Sequence, residues 1–245
     1  PFSCCQNQAK AGGKNRTPKL KSDCIDCKHF LRRLFLYIIG MFFLAVGVGL
    51  AVKSDLGISP VNSIPYVVSR LTDFEQGNLT TVFFCLLIAL QILLLRKEFQ
   101  IIQLFQIACA FVFGRFVTIC NLLFQNIEPH GYFMRILLLF LSVFAISLGM
   151  VLYLSANFIP QPSEGLCLAI QQKSGWKYSN IKTCFDCILV ALAALISFQL
   201  SGHIVGLREG TVITMISVGK MIGVISSLTF KQLSNFCGTD TPVKR

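Results

Sequence analysis

Two basic residues stand where a membrane chain can least easily hold them. Arg115 and Lys220 each follow a glycine near the middle of a long apolar run. A charge at the bilayer centre costs at least about 2.5 kcal/mol even on the insertion scale, so it calls for a polar cavity or a partner, or else snorkels to an interface. Two such cations facing one cavity would suit an anionic solute. A second set of polar residues surrounds two prolines. Ser59, Pro60 and Asn62 lie in one Gly-, Pro- and Ser-rich segment (53–71), and Gln161, Pro162 and Glu164 lie in another (155–172). Proline suits the first turn of a helix, and a helix start presents free N–H groups and a positive dipole end. These eight residues are the candidate substrate-binding set; the competing reading of the two segments is an ordinary loop capping a surface helix. Lys182 and Asp186, at i and i+4, fit a structural ion pair on one helix face.

Other chemistries lack their residues. There is no GxSxG, HExxH or P-loop pattern. His29, His130 and His203 fall in the basic N-terminal stretch and in loops. The expected protein is therefore not an enzyme and carries no cofactor. Cys24, Cys27 and His29 make at most half of a zinc site, and structural zinc takes four ligands, so no metal is expected. The eleven cysteines are an odd number and many lie in apolar runs, which suits buried thiols better than a disulfide framework.

The elements that must position these residues follow from composition. Of 245 residues, 54% are hydrophobic and 13% charged, about half the charged share of a soluble domain. Six apolar runs, near 34–52, 79–95, 101–124, 136–154, 181–200 and 211–230, each have about the 20 residues that cross a hydrocarbon core as a helix. A helix is required because lipid satisfies no backbone hydrogen bond. The net charge of +11 lies mostly in the first 33 residues and in short loops. That is the pattern of the positive-inside rule and leaves no basic, aromatic-interleaved face for nucleic acid. With the N-terminus inside, 16 Lys and Arg fall on the inner side and four on the outer, so both termini are expected in the cytoplasm.

The chain also repeats itself. Sliding it by 102 residues gives 13 identities over positions 33–90, among them Arg33 with Arg135, Gly47 with Gly149, Pro60 with Pro162, Asn78 with Asn180 and Thr81 with Thr183. A three-residue insertion then brings Gly114-Arg115 onto Gly219-Lys220. Each unit has three spans, and an odd number reverses the second unit in the bilayer. The expected fold is an all-α membrane protein of six transmembrane helices in two inverted three-helix repeats, each with a short re-entrant or interfacial helix after its first span. Its expected divisions are a disordered basic cytoplasmic tail at 1–30, a first three-span repeat at 31–125, a second at 133–231, and a cytoplasmic tail at 232–245.

Several short stretches, taken in their joint order, resemble a known group. They are Gly47-Val-Gly-Leu50, Asp55-Leu-Gly-Ile-Ser-Pro60, Ser174-Gly-Trp176 with Lys182 and Thr183 after it, and Gly206-Leu-Arg-Glu-Gly-Thr211. From about 33 to 230 the chain resembles the bacterial YczE/YyaS/YitT-type integral membrane proteins, a group of uncharacterised membrane proteins. The resemblance implies a multi-pass protein of the bacterial plasma membrane and no particular reaction. The chain departs from the group in having Val61-Asn62 where Trp-Asp is common, and no acid shortly after Gly114.

Two functions follow. One is a transporter or channel for a small polar solute, anionic if Arg115 and Lys220 bind it, since inverted repeats are a common transporter plan. The other is a non-transporting regulatory or scaffold protein that acts through a protein partner. The partners are the lipid bilayer and, in the first reading, a small solute. Small residues in the spans (Ala45, Gly47, Gly49, Gly219 and Gly223) allow tight helix contacts, within one chain or in a homodimer.

Overall fold

The computed structural model describes residues 27–72, 74–96, 101–156, 158–203, 206 and 208–237. Among them are eight α-helices and no strand: α1 (Cys27–Ser54), α2 (Pro60–Leu71), α3 (Gln76–Leu95), α4 (Phe105–Leu123), α5 (Gly131–Ala156), α6 (Pro162–Ser174), α7 (Tyr178–Ser201) and α8 (Glu209–Cys237). Six of them, all but α2 and α6, contain stretches long and apolar enough to cross a membrane. Their outer faces stay apolar, as in Leu86, Leu90 and Leu93 of α3, while Phe84 and Leu87 turn inward. Such all-round hydrophobicity needs lipid outside as well as protein inside. The chain is a multi-pass membrane protein. Residues 1–26 of the expected N-terminal tail, Cys24 with them, lie outside the described residues, as do the side chains of Cys27 and His29. Helix α8 runs on to Cys237, so 232–237 continue a helix where the tail was expected to begin; 238–245 lie outside the description.

The short helices form for local reasons. Pro60 and Pro162 occupy the first turns of α2 and α6, where a missing N–H costs nothing. Helix α2 has 12 residues and α6 has 13. At about 1.5 Å per residue neither reaches across about 30 Å of hydrocarbon. Helix α6 ends at Gly175 in the left-handed region, φ 71°, with its N–H bonded to the Gln171 carbonyl.

Helices α1 and α5 make the central seam, and they run antiparallel. A Cβ placed on Gly149 would lie 2.6 Å from the Gly40 carbonyl oxygen, and one on Gly40 would lie 2.6 Å from the Tyr153 nitrogen. One end further on, the Ser142 hydroxyl donates to the Gly47 carbonyl at 2.8 Å. The backbones meet because no side chain stands between them. Around this seam α4 packs on α1 and α8 packs on α5. The short helices cross over: α2 packs against α7, and α6 against α3. Helices α3 and α4 pack closely, with Gly77 and Thr81 against Gly114. Helices α7 and α8 share no comparable interface, and a Cβ on Gly219 would meet nothing within 4 Å.

One charged contact joins the turn after α1 to the later helices. Asp55, at φ 53°, accepts a hydrogen bond from Arg135 at 3.1 Å, and Arg208 stands 3.7 Å away. All three side chains are partly exposed, so the bridge is weak. Asp55→Asn, which keeps a residue tolerant of the left-handed region, is expected to change stability by less than about 1 kcal/mol, read as the thermal midpoint in detergent.

Candidate functional site

The interior holds a polar cluster built around the start of α6. Pro162 fixes the first turn, Gln161 sits at the cap position without a side-chain cap bond, and Glu164 follows as the first-turn acid. That position favours a negative charge through the helix dipole. Burial opposes it: Glu164 is 7% exposed. The Tyr153 hydroxyl of α5 donates to Glu164, and the Tyr153 ring meets Tyr37 of α1 edge-on, centroids 6.1 Å apart. Glu164 lies outside the six long helices. Its removal from water raises its carboxyl to about 7, with nearby Lys182 pulling it down and Asp186 pushing it up. Desolvation, which penalises the charged form directly, is the largest of the three effects, and the two neighbours act in opposite directions.

Gly165 explains how the next groups arrive. A Cβ there would lie 2.8 Å from both the Gln106 amide nitrogen and the Gln91 amide oxygen. The missing side chain lets amides from α3 and α4 rest against α6. Gln91 is 2% exposed and Gln106 fully buried. Gln91 Oε1, both polar atoms of Gln106 and Gln161 Nε2 have no hydrogen-bond partner in the protein. Buried polar atoms are normally paired, and an orphan costs about 1–3 kcal/mol. A concentration of spare donors and acceptors at one place suits a polar ligand or water.

The other expected residues are distributed as follows. In the first unit, Pro60 and Asn62 are buried and Ser59 is half-buried. Asn62 donates to the Ser59 hydroxyl at 3.0 Å, and its own oxygen has no partner. Pro162 is buried beside Gln161 and Glu164. Lys182 Nζ lies 2.7 Å from Asp186 Oδ1 on one face of α7. Arg115 and Lys220 are both exposed on the outer surface. The Arg115 guanidinium lies over the Phe111 ring, 4.9 Å from its centroid. The structure brings neither of them to the cluster at α6. For Arg115 the physical reason is the residue before it: Gly114 faces Gly77, which turns the next side chain away from the bundle. Lys220 follows Gly219, which is itself exposed, so that stretch of α8 faces outward. Among the described residues no group of three or more His, Cys, Asp or Glu could hold a metal.

Gln91, Gln106 and Tyr153 belong to the cluster and were not in the sequence-derived set. A signal existed. Gln91 and Gln106 interrupt the second and third apolar runs, and a polar side chain at membrane depth needs a partner as a charge does.

The profile of DUF6198, a family of unknown function, matches residues 31–227. The chain belongs to that family. The matched region takes in the seam, both short helices and the polar cluster. The chain is 25% identical over 191 residues to "Uncharacterized membrane protein YczE" of Bacillus subtilis (strain 168), which covers 78% of this chain and 83% of the relative. It is 24% identical over 139 residues to "Uncharacterized protein YyaS" of the same organism, covering 56% of this chain and 68% of the relative. These similarities place it with the YczE- and YyaS-type membrane proteins. No solved structure matches.

Proposed function

We propose that the protein moves a small polar solute across the bacterial cell membrane, as a transporter or channel rather than a catalyst. The observation that carries this reading is the set of unpartnered buried amides at the start of α6, with Gln161 at its cap and Gln91 and Gln106 against Gly165, next in the chain to the buried Glu164. A scaffold gains nothing from such orphans, whereas a solute path needs hydrogen-bonding groups that water or a solute can satisfy in turn. The groups are amides and one carboxyl, which suits a hydrogen-bonding solute without a large net negative charge.

In this proposal the protein is built as two inverted three-helix repeats with both termini in the cytoplasm. Support comes from the seam. Under the 102-residue shift, the contact of Gly40 with Gly149 becomes a contact of Ser142 with Gly47, and both contacts occur. The crossed packing of α2 on α7 has its counterpart in α6 on α3, and α1 on α4 in α5 on α8. A two-fold axis in the membrane plane generates such pairs. The excess of Lys and Arg on the N-terminal side supports the orientation.

The test is uptake into proteoliposomes across a panel of labelled amino acids, amides, polyols and small organic acids. At least one solute is expected to enter, and Gln106→Leu is expected to slow it at least about tenfold, a loss matching one buried hydrogen bond. No protein-dependent entry of any panel solute would overturn the proposal. The exposure of Arg115 and Lys220 favours a second reading, a regulatory or scaffold protein whose outer surface meets a protein partner. Under it, Arg115→Ala with Lys220→Ala would release a co-purifying protein and leave uptake profiles untouched.

A further inference from the structure

A concavity with a charged rim lies away from the α6 cluster. It is an open cleft of about 320 Å³ between the C-terminal end of α1, helix α2, the start of α3 and the later part of α4. That volume is at the lower end of small-molecule sites, about 300–1,000 Å³. Lys53, Arg70, Glu75, Gln76, Thr118 and Asn121 line it.

Its floor is a paired set of amides with spare capacity. Gln76 is 5% exposed. Its oxygen accepts from Asn121 Nδ2 at 2.9 Å, which leaves Gln76 Nε2 and Asn121 Oδ1 without a protein partner. The Thr118 hydroxyl also has none. The floor therefore offers one amide donor and one amide acceptor, plus a hydroxyl that can do either. The charged lining has both signs. Lys53 donates to the Gln125 carbonyl at 2.9 Å, and Arg70 donates through Nε to the Tyr66 hydroxyl at 3.0 Å. These bonds hold each stem in place and leave further N–H donors on both cations. Glu75 accepts from Asn78 at 3.2 Å and keeps acceptor capacity.

We propose that this cleft binds a small zwitterion of the α-amino-acid type, its carboxylate on Arg70 and Lys53 with Gln76 Nε2, and its ammonium on Glu75 and Asn121 Oδ1. A simple anion would satisfy the cations and strand the acceptors; a simple cation would do the reverse. A ligand carrying both groups a few atoms apart uses both signs of the charged lining. The site stands apart from the α6 cluster, and binding here does not depend on whether any solute crosses the membrane.

The test is binding of L-serine and L-glutamine to the full chain in detergent micelles, by isothermal calorimetry, with acetate and methylammonium as single-charge probes. At least one amino acid is expected to bind, and neither probe at the same concentration. Arg70→Ala and Glu75→Gln are each expected to weaken binding at least about tenfold. Both residues are exposed, so the unliganded protein should stay folded, Arg70→Ala lowering the thermal midpoint only by the loss of its bond to the Tyr66 hydroxyl. Absence of binding by both amino acids overturns the proposal. So does acetate binding as tightly as they do, which would make this a plain anion site, and so does binding that survives the Arg70→Ala, Glu75→Gln double variant. Because solubilised protein is used, a failed uptake assay and a failed binding assay remain separate results.

Discussion

Gly149→Leu is expected to leave little or no folded protein. The Cβ it introduces would lie 2.6 Å from the Gly40 carbonyl oxygen and 2.7 Å from the Leu44 nitrogen. Both are backbone atoms in the middle of α1, so no rotamer change relieves the clash; the two helices must move apart. Moving them strips packing along the longest interface in the bundle and lengthens the Ser142 to Gly47 bond at its other end. Overpacking of this kind costs about 3 kcal/mol or more. Even Gly149→Ala meets the same two atoms and should lower the thermal midpoint measurably. The control is Gly219→Ala. Gly219 also sits after an apolar stretch in a span, but its Cβ would meet nothing within 4 Å. Alanine there should be neutral or slightly stabilising, by up to about 1 kcal/mol from helix propensity. The readout is the monodisperse fraction after detergent extraction, with the thermal midpoint. A Gly149→Leu variant that melts within a few degrees of the wild type would mean that α1 and α5 do not meet at these glycines.

The second large effect concerns pH. Glu164 rises from its ordinary 4.5 to about 7, chiefly because burial penalises the carboxylate. Its folded value exceeds its unfolded one, so the neutral acid is the form the fold prefers. The associated stability is fully present below about 4.5, declines as pH rises, and is gone above about 7. The span of about 2.5 units corresponds to about 3 kcal/mol at 1.36 kcal/mol per unit. Glu164→Gln is expected to abolish that decline, because its amide cannot ionise and can still accept from the Tyr153 hydroxyl. Above pH 7 it should be the more stable protein, while the wild type closes the gap as the pH falls toward 4.5. Glu164→Ala should instead lose stability at every pH, since it leaves a void and strands a buried hydroxyl. Thermal unfolding in one detergent at several pH values checks all three. If wild type and Glu164→Gln show the same pH profile, Glu164 is charged and solvated rather than held neutral by burial.

Much of the architecture was legible in the chain because the bilayer restricts the options. Runs such as 34–52 and 136–154 can only be helices at that length and polarity, and Pro60 and Pro162 marked the starts of the two short helices. The site was harder to read. Arg115 and Lys220 drew attention as charges, but which face of a span looks inward depends on tertiary packing. The close approach of Gly114 to Gly77 turned Arg115 outward, and no local pattern reveals that approach. Glu164 was readable as a first-turn acid, yet its interest comes from Tyr153, Gln91 and Gln106, which three other helices deliver. Gln91 and Gln106 were visible as breaks in apolar runs; what the sequence alone could not supply was that both converge on Gly165.

The crossed packing of the short helices bears on how the chain is made. Helix α2 leaves the ribosome more than a hundred residues before α7, the helix it packs against, and α3 must wait for α6 in the same way. During synthesis the early helices therefore carry faces whose matching surfaces do not yet exist, including the polar sides of Gln91 and Gln106. Contacts that remote in sequence are slow to close, and half-made chains with open polar faces are the species most exposed to misassembly. Maturation of this protein should thus be a single late event, set by the arrival of residues 178–201 rather than by the insertion of its first three spans. Chains arrested before that point would be inserted in the membrane yet unfolded, and proteases that survey nascent membrane proteins would meet them in that state.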